Sequence, residues 1–427
     1  MSNLLDDIVL AQKRGEARGI ASICSAHPWV LKTSLRGTAP VLVEATCNQV
    51  NQLGGYTGMN PADFVRYVRG LAAENGLPPE QLILGGDHLG PSPWQDCGME
   101  PAMSRATGMV QGYVRAGFTK IHLDTSMRLG DDDPLRPLDP ELVAHRTACL
   151  ARVAEETLAK LPESPQRLRY VVGSEVPIPG GSLEHKDGVH VTSVEDARRT
   201  LEIMHAAFVE AKLESAWDHV IAVVVQPGVE FGDDFIQDYN PDLAHDLVRF
   251  SETIPFIYEA HSTDYQTREN LRNLVRDHFA ILKIGPALTY AFRQAVFALA
   301  MMESELLPMA KCSHLIETLE AAMQREPEHW KNYYHGDEVM LAFARKYSLS
   351  DRARYYWWDM DVQAALMKLM ANLDEVPLPL SLISQYMPEL FNGIRSGAMA
   401  NSPRQIVHHR VQSVLDDYSS ACRESGI

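Results

Sequence analysis

Residues 219–226 read HVIAVVVQ, six apolar residues without a break, closed by a polar one. A strand with one face in water alternates apolar and polar side chains. An unbroken apolar run is what a parallel strand buried on both faces requires. The pattern returns along the chain as GIASICSA (19–26), PVLVEAT (40–46), QLILGGDH (81–88), KIHLDTS (120–126), RYVVGSEV (169–176), PFIYEAHS (255–262) and FAILKIG (279–285). The first of these is the weakest, because Ser22, Cys24 and Ser25 would also suit a loop. Helix-length amphipathic stretches separate the runs. Residues 61–75 open on Pro61, 140–161 place Leu142, Leu150, Val153 and Leu158 on one stripe, and 193–212 carry Ser193 and Glu195 at the start, a capping arrangement.

Eight strand–helix repeats predict an α/β fold of the (β/α)8 TIM barrel type over residues 1–295. A doubly wound open sheet is the alternative, but it usually brings a GxGxxG or GxxxxGK[ST] loop, and neither pattern occurs. Beyond residue 295 the strand-like runs stop. AFRQAVFALAMMESELL, HLIETLEAAMQ, DVQAALMKLMANL and RQIVHHRVQSVLDDY have helical spacing and predict a helical extension over 296–427, packed on the barrel. The aromatic-rich segment 329–361 is expected to pack as ordinary helix, or else to cover the barrel mouth or meet another subunit.

The 427 residues are 45% hydrophobic and 22% charged, which excludes disordered and fibrous classes. Lys and Arg total 39 against 56 Asp and Glu, a formal charge of −17. That field repels phosphate backbones and anionic lipid, so neither nucleic acid nor a membrane is an expected partner. Six scattered cysteines with no CxxC pair suit a reducing compartment, and the acidic N-terminus lacks the pattern of a secretory signal. A cytoplasmic location is expected.

Barrel enzymes draw their chemistry from the C-terminal ends of the strands. Those ends supply Glu44 and Asn48, Asp87 and His88, Asp124, Glu175, Gln226 with Glu230 just beyond, His261 with Ser262 and Thr263, and Lys283. A doubly buried strand has no structural use for an unpaired carboxylate, so the clustering points to a site. His88 and His261 are the leading ligands for zinc or a similar divalent ion, with Glu175, Glu230 and Asp124 as further candidates. Asp87, expected to leave the strand in a different direction from His88, is a candidate general acid–base group, with Asp124 and Glu175 as further catalytic candidates. Lys283, Gly285, Ser262 and Thr263 could cradle a phosphate, and Glu44, Asn48 and Gln226 could contact substrate.

At these residues the chain resembles the GatZ/KbaZ family, described as non-catalytic subunits of class II tagatose-1,6-bisphosphate aldolase. The resemblance rests on EATCNQVNQLGGYTGM, LGGDHLGPSPWQ, AGFTKIHLDTSM, VGSEVPIPGG, YEAHSTDYQ and LKIGPALTYAFRQA, and it covers essentially the whole chain. It implies a barrel similar to the class II aldolases, with Asp87–His88 at the catalytic Asp and a zinc His, His261 and Ser262 at a second zinc His and its phosphate loop, and Lys283 matching a strand-eight lysine, with Gly285 in place of an asparagine. The third zinc His of those aldolases, at the end of strand six, has no counterpart in VVVQPGVEFGDD, so a carboxylate such as Glu175 or Glu230 would complete the set. Family members have been labelled kinase, aldolase subunit and ketose-phosphate 4-epimerase, and no kinase-type phosphate loop is present here. The main expectation is a metal-dependent epimerase interconverting D-tagatose 6-phosphate and D-fructose 6-phosphate by retro-aldol and aldol steps. The alternative is a stabilising subunit of the class II aldolase. Expected partners are a phosphorylated ketohexose and either further copies of the chain or the aldolase catalytic subunit.

Overall fold

The computed structural model describes residues 4–162, 167–173 and 189–423. Eight parallel strands close into a barrel: β1 Ile20–Ile23, β2 Val41–Thr46, β3 Leu82–Leu89, β4 Lys120–Leu123, β5 Arg169–Val172, β6 Val220–Val224, β7 Ile257–Ala260 and β8 Phe279–Ile284. Closure is made by β1, which pairs with β8 on one side and β2 on the other. The open-sheet alternative is thereby excluded, and the weakest predicted run is a genuine, if short, strand.

A helix follows each strand, and local chemistry sets several of their starts. Pro61–Glu74 begins on a proline whose preceding Asn60 accepts from the Asp63 N–H, and Ser193 likewise caps Val194–Glu210 by accepting from Asp196. The helix after β8, Pro286–Leu306, runs across residue 295 without a break and leads into the helical extension. The final helix, Pro403–Cys422, returns to the barrel, where the Cys422 carbonyl accepts from the Gly19 N–H and the Tyr418 hydroxyl meets Thr263. Barrel helices and extension share one hydrophobic core.

The barrel interior is layered, because residues two apart on a strand share a face. At the bottom, Ile20, Leu42, Val171, Ile257 and Ile281 meet Leu5 and Ile8 of the N-terminal helix Leu4–Lys13. One step up lie Glu44, Lys120, Glu259 and Lys283, and above them Asp87, His122 and His261. Gly85 leaves room for this charged layer: a Cβ there would stand 2.3 Å from the Glu44 carboxylate.

Candidate active site

The ionic layer is buried. Lys120 Nζ stands 2.5 Å from Glu44 and 2.7 Å from Glu259, all three side chains fully buried. Lys283 Nζ bonds to Glu44 and lies 2.7 Å from Asp87. Burial would favour the neutral lysines, but Glu259 and Glu44 raise Lys120, and Asp87 leads the groups that raise Lys283 well above the usual range.

Three imidazoles sit on top, with ring centres 4.9, 5.0 and 5.4 Å apart. Each has one nitrogen held by a carboxylate: His88 Nδ1 by Asp124 at 2.8 Å, His122 Nδ1 by Asp87 at 2.9 Å, and His261 Nε2 by Glu259 at 3.0 Å. Ionised carboxylates accept only, so His88 Nδ1 and His261 Nε2 donate there and carry their lone pairs on the other nitrogen. His122 Nδ1 also meets the His88 backbone N–H at 3.2 Å, and it donates to Asp87 only in the tautomer that leaves Nε2 unprotonated. His122 Nε2 is buried with no hydrogen-bond partner. Ligand atoms of Asp87, His88, His122 and His261 all lie within 4.8 Å of one another. An orphaned imidazole nitrogen beside two more free lone pairs fits a divalent cation of the zinc class.

The electrostatics agree. Burial would raise Asp87, but His88, Lys283 and the His122 bond hold it well below the carboxylate range. Asp124 is likewise driven down, against its burial, by its bond and charge interaction with His88. Burial pulls His88 down, yet Asp87 and Asp124 more than offset it and raise the ring, so a proton competes with a metal ion for its second nitrogen. Burial pushes His261 down to about 3, which keeps it neutral, the form a metal ligand needs.

Asp87 and His88 both face the site, contrary to the expectation that they diverge. Pairing between β3 and β4 slips between Gly86 and Leu89, and His88 takes φ 48°, in the left-handed region. That irregularity re-aims the second of two consecutive side chains. Ser262, just after His261, has φ 53°.

Above the cluster opens a cleft of about 710 Å³ including its solvent mouth. Of the strand-end candidates, Asn48, Asp87, His88, His261, Ser262, Lys283 and Gly285 line it. Other candidates are engaged elsewhere. Glu44 lies below, between the two lysines, and Gln226 Oε1 accepts from the Gly228 and Val229 N–H groups. The Thr263 hydroxyl donates to the Lys283 carbonyl at 2.6 Å. Asp124 orients His88 and accepts from Ser126. Glu230 is not among the clustered atoms: its Oε1 accepts from the Phe231 N–H, and burial raises its carboxyl to about 7. Glu175 lies outside the described residues.

Strand-end reading missed His122, Lys120 and Glu259, although KIHLD carried the signal. With Asp124 at the strand end, alternation sends His122 and Lys120 inward as well. It also missed Asp264, whose Oδ1 accepts from the Gly285 and Ala287 N–H groups and whose carboxyl burial raises to about 6. From the extension, Arg354 and Tyr355 reach the cleft beside Tyr56.

The D-tagatose-1,6-bisphosphate aldolase subunit GatZ/KbaZ-like family matches residues 5–423. A D-tagatose-1,6-bisphosphate aldolase subunit GatZ of Salmonella heidelberg (strain SL476) is 49% identical over 422 residues, 98% of this chain and 99% of that protein. The protein of the same name from Salmonella gallinarum is 48% identical over the same share. A crystal structure from Sinorhizobium meliloti 1021, described as a probable tagatose 6 phosphate kinase, superposes with a TM-score of 0.86 at 43% identity, covering 95% of this chain and 100% of that one.

Proposed function

The chain belongs to the GatZ/KbaZ-like family of D-tagatose-1,6-bisphosphate aldolase subunits, and from that premise we propose that it works as the GatZ-type subunit of such an aldolase and carries its own divalent metal centre in a sugar-phosphate cleft. The relatives' names support the subunit role ahead of an independent epimerase. The observation that carries the metal centre is the trio of imidazoles, each with one nitrogen at a carboxylate, whose ligand atoms lie with Asp87 within 4.8 Å of one another. His88, His122 and His261 would hold the ion, with Asp87 close by. The ion would supply Lewis-acid polarisation of a ketose carbonyl. The kinase description of the Sinorhizobium protein is not carried over, since no phosphate loop of the kinase or P-loop type occurs in the sequence.

A second reading, D-tagatose 6-phosphate 4-epimerase, is favoured by one observation: the cleft is lined by the buried carboxyl of Asp264 together with the carboxylate-held imidazoles His88 and His261, for which a purely stabilising chain has no use. The proton on the fourth carbon of a 2-ketose is not acidic, so aldol chemistry is required. A base takes the proton of the fourth-carbon hydroxyl, the bond between the third and fourth carbons breaks, and its electron pair passes to the ketone fragment. The aldehyde fragment presents its other face, the pair re-forms the bond with inverted configuration, and the proton returns to the new alkoxide. Asp87 is poorly suited to accept that proton, because its two oxygens serve His122 and Lys283 and its carboxyl is held low. Asp264, lining the cleft and titrating near 6, is better matched to transfer at neutral pH.

The test uses the purified full chain: metal content first, then D-tagatose 6-phosphate alone, then a tagatose-bisphosphate aldolase catalytic chain with and without it. Longer lifetime or higher turnover of the aldolase supports the subunit role, and no change in either refutes it. Fructose 6-phosphate formed by the chain alone supports the epimerase. Retention of metal by His88→Ala, His122→Ala and His261→Ala alike would refute the centre.

A further inference from the structure

The donors that the sequence marks for phosphate are largely committed. Lys283 is engaged by Glu44 and Asp87, the N–H groups of Gly285 and Ala287 point at Asp264 Oδ1 (3.0 and 2.8 Å), and the Thr263 hydroxyl serves a backbone carbonyl. Another cation lines the cleft, and it comes from the extension. Arg354 lies in the 3-10 turn Arg352–Tyr356, half-buried, with its guanidinium carbon 4.4 Å from the centre of the Tyr355 ring.

Its bonds fix the guanidinium without neutralising it. Nη1 donates to the carbonyls of Ser350 and Asp351, and Nη2 donates to the Tyr355 hydroxyl at 2.8 Å. All three acceptors are uncharged, and among the described residues Arg354 forms no ion pair. Two other buried arginines are paired, Arg293 with Asp351 and Arg345 with Glu320 and Glu338, while Arg352 of the same turn is also without an ion pair but faces the His329 carbonyl and the Tyr333 ring rather than the cleft. Two buried acids sense Arg354 from beyond ion-pair distance: Asp351, whose carboxylate is paired with Arg293, and Asp264, which lines the cleft and caps the helix after β8. Tyr355 accepts from Arg354, so its own hydroxyl proton is left to donate into the cleft, and Tyr56 meets it edge to face at 4.8 Å.

An oriented, unneutralised guanidinium flanked by two phenols is an anion receptor. We infer that Arg354, with Tyr355 and Tyr56, binds the phosphate of a phosphorylated ketohexose, so that the helical extension supplies part of the substrate site. The inference rests on reading the cleft as a sugar-phosphate site and assigns its anion-binding group.

Calorimetric titration of the metal-loaded full chain with D-tagatose 6-phosphate and with D-tagatose tests it. Arg354→Gln should weaken the phosphorylated sugar by about 10–100-fold, the range of a charge-assisted hydrogen-bond set, and leave D-tagatose within about threefold. Arg354→Lys should recover part of the loss, since charge returns without the fork. Equal weakening of both sugars would assign Arg354 a structural role and overturn the inference. Unchanged binding of the phosphorylated sugar would overturn it while leaving the sugar-phosphate reading intact. A parent chain that binds both sugars alike would overturn both. If Arg354→Gln does not fold, Tyr355→Phe serves instead: a selective loss of the phosphorylated sugar supports the inference, and a loss equal for both sugars refutes it.

Discussion

Asp87→Asn removes one charge and one acceptor from a carboxylate that is 1% exposed. Its Oδ1 takes His122 Nδ1 at 2.9 Å and its Oδ2 lies 2.7 Å from Lys283 Nζ. An amide offers one acceptor oxygen and one donor group, so it can satisfy only one of these partners. If the oxygen faces Lys283, the amide N–H meets His122 Nδ1 and drives the imidazole proton to Nε2, the nitrogen the metal needs. If the oxygen faces His122, two donors confront each other at Lys283. The charge balance shifts as well: two lysines (Lys120, Lys283) against three carboxylates (Glu44, Asp87, Glu259) leave 2 − 3 = −1, and the substitution makes it zero. Loss of an outer partner of a metal-binding histidine costs about 10–100-fold in affinity, or about 1.4–2.7 kcal/mol. Competition for zinc against a fluorescent chelator should therefore show that loss in Asp87→Asn, and a similar one in Asp124→Asn, whose parent residue holds His88. Melting curves taken alongside separate metal loss from unfolding. Zinc affinity within threefold of the parent would refute the orienting role. If turnover nevertheless fell by about 10²-fold, Asp87 would act on substrate protons directly.

Three further outcomes are expected. His122→Ala should release the ion at chelator concentrations the parent withstands, as measured by metal analysis after dialysis, and retention equal to the parent would remove His122 from the ligand set. Lys120→Met should lower unfolding free energy by about 3–5 kcal/mol in urea, because Glu44 and Glu259 lose the cation between them in a fully buried layer, and a loss under about 1 kcal/mol would contradict that geometry. Glu230→Gln should flatten the pH dependence of stability. Burial raises that carboxyl from 4.5 to about 7, so the folded chain holds more protons than the unfolded one between those values and loses stability as pH rises through them, by about 3 kcal/mol. The glutamine variant should equal the parent near pH 4 and exceed it near pH 8, and a gap independent of pH would refute the buried-acid account.

The sequence by itself determined the barrel, because hydrophobic period and run length are local properties: HVIAVVVQ and its seven counterparts must be buried on both faces wherever they lie. It also placed His88, His261 and Lys283 at one end, since in parallel strands joined by helices every C-terminus points the same way. Tertiary structure decided what those residues touch. The third imidazole is found on β4, in place of the histidine missing from strand six, because closure turns Lys120, His122 and Asp124 inward, and a slip in the β3 register with His88 in the left-handed region brings Asp87 and His88 together. Lys283, marked from sequence as a phosphate ligand, is held by Glu44, 239 residues away, and Arg354 reaches the cleft from the aromatic-rich segment 329–361, for which sequence left ordinary packing and a place at the barrel mouth both open. Burial gives an apolar residue its place whoever its neighbours are, whereas a buried charge is stable only beside particular partners, and those are chosen by strand register and chain closure rather than by anything within a few residues of it.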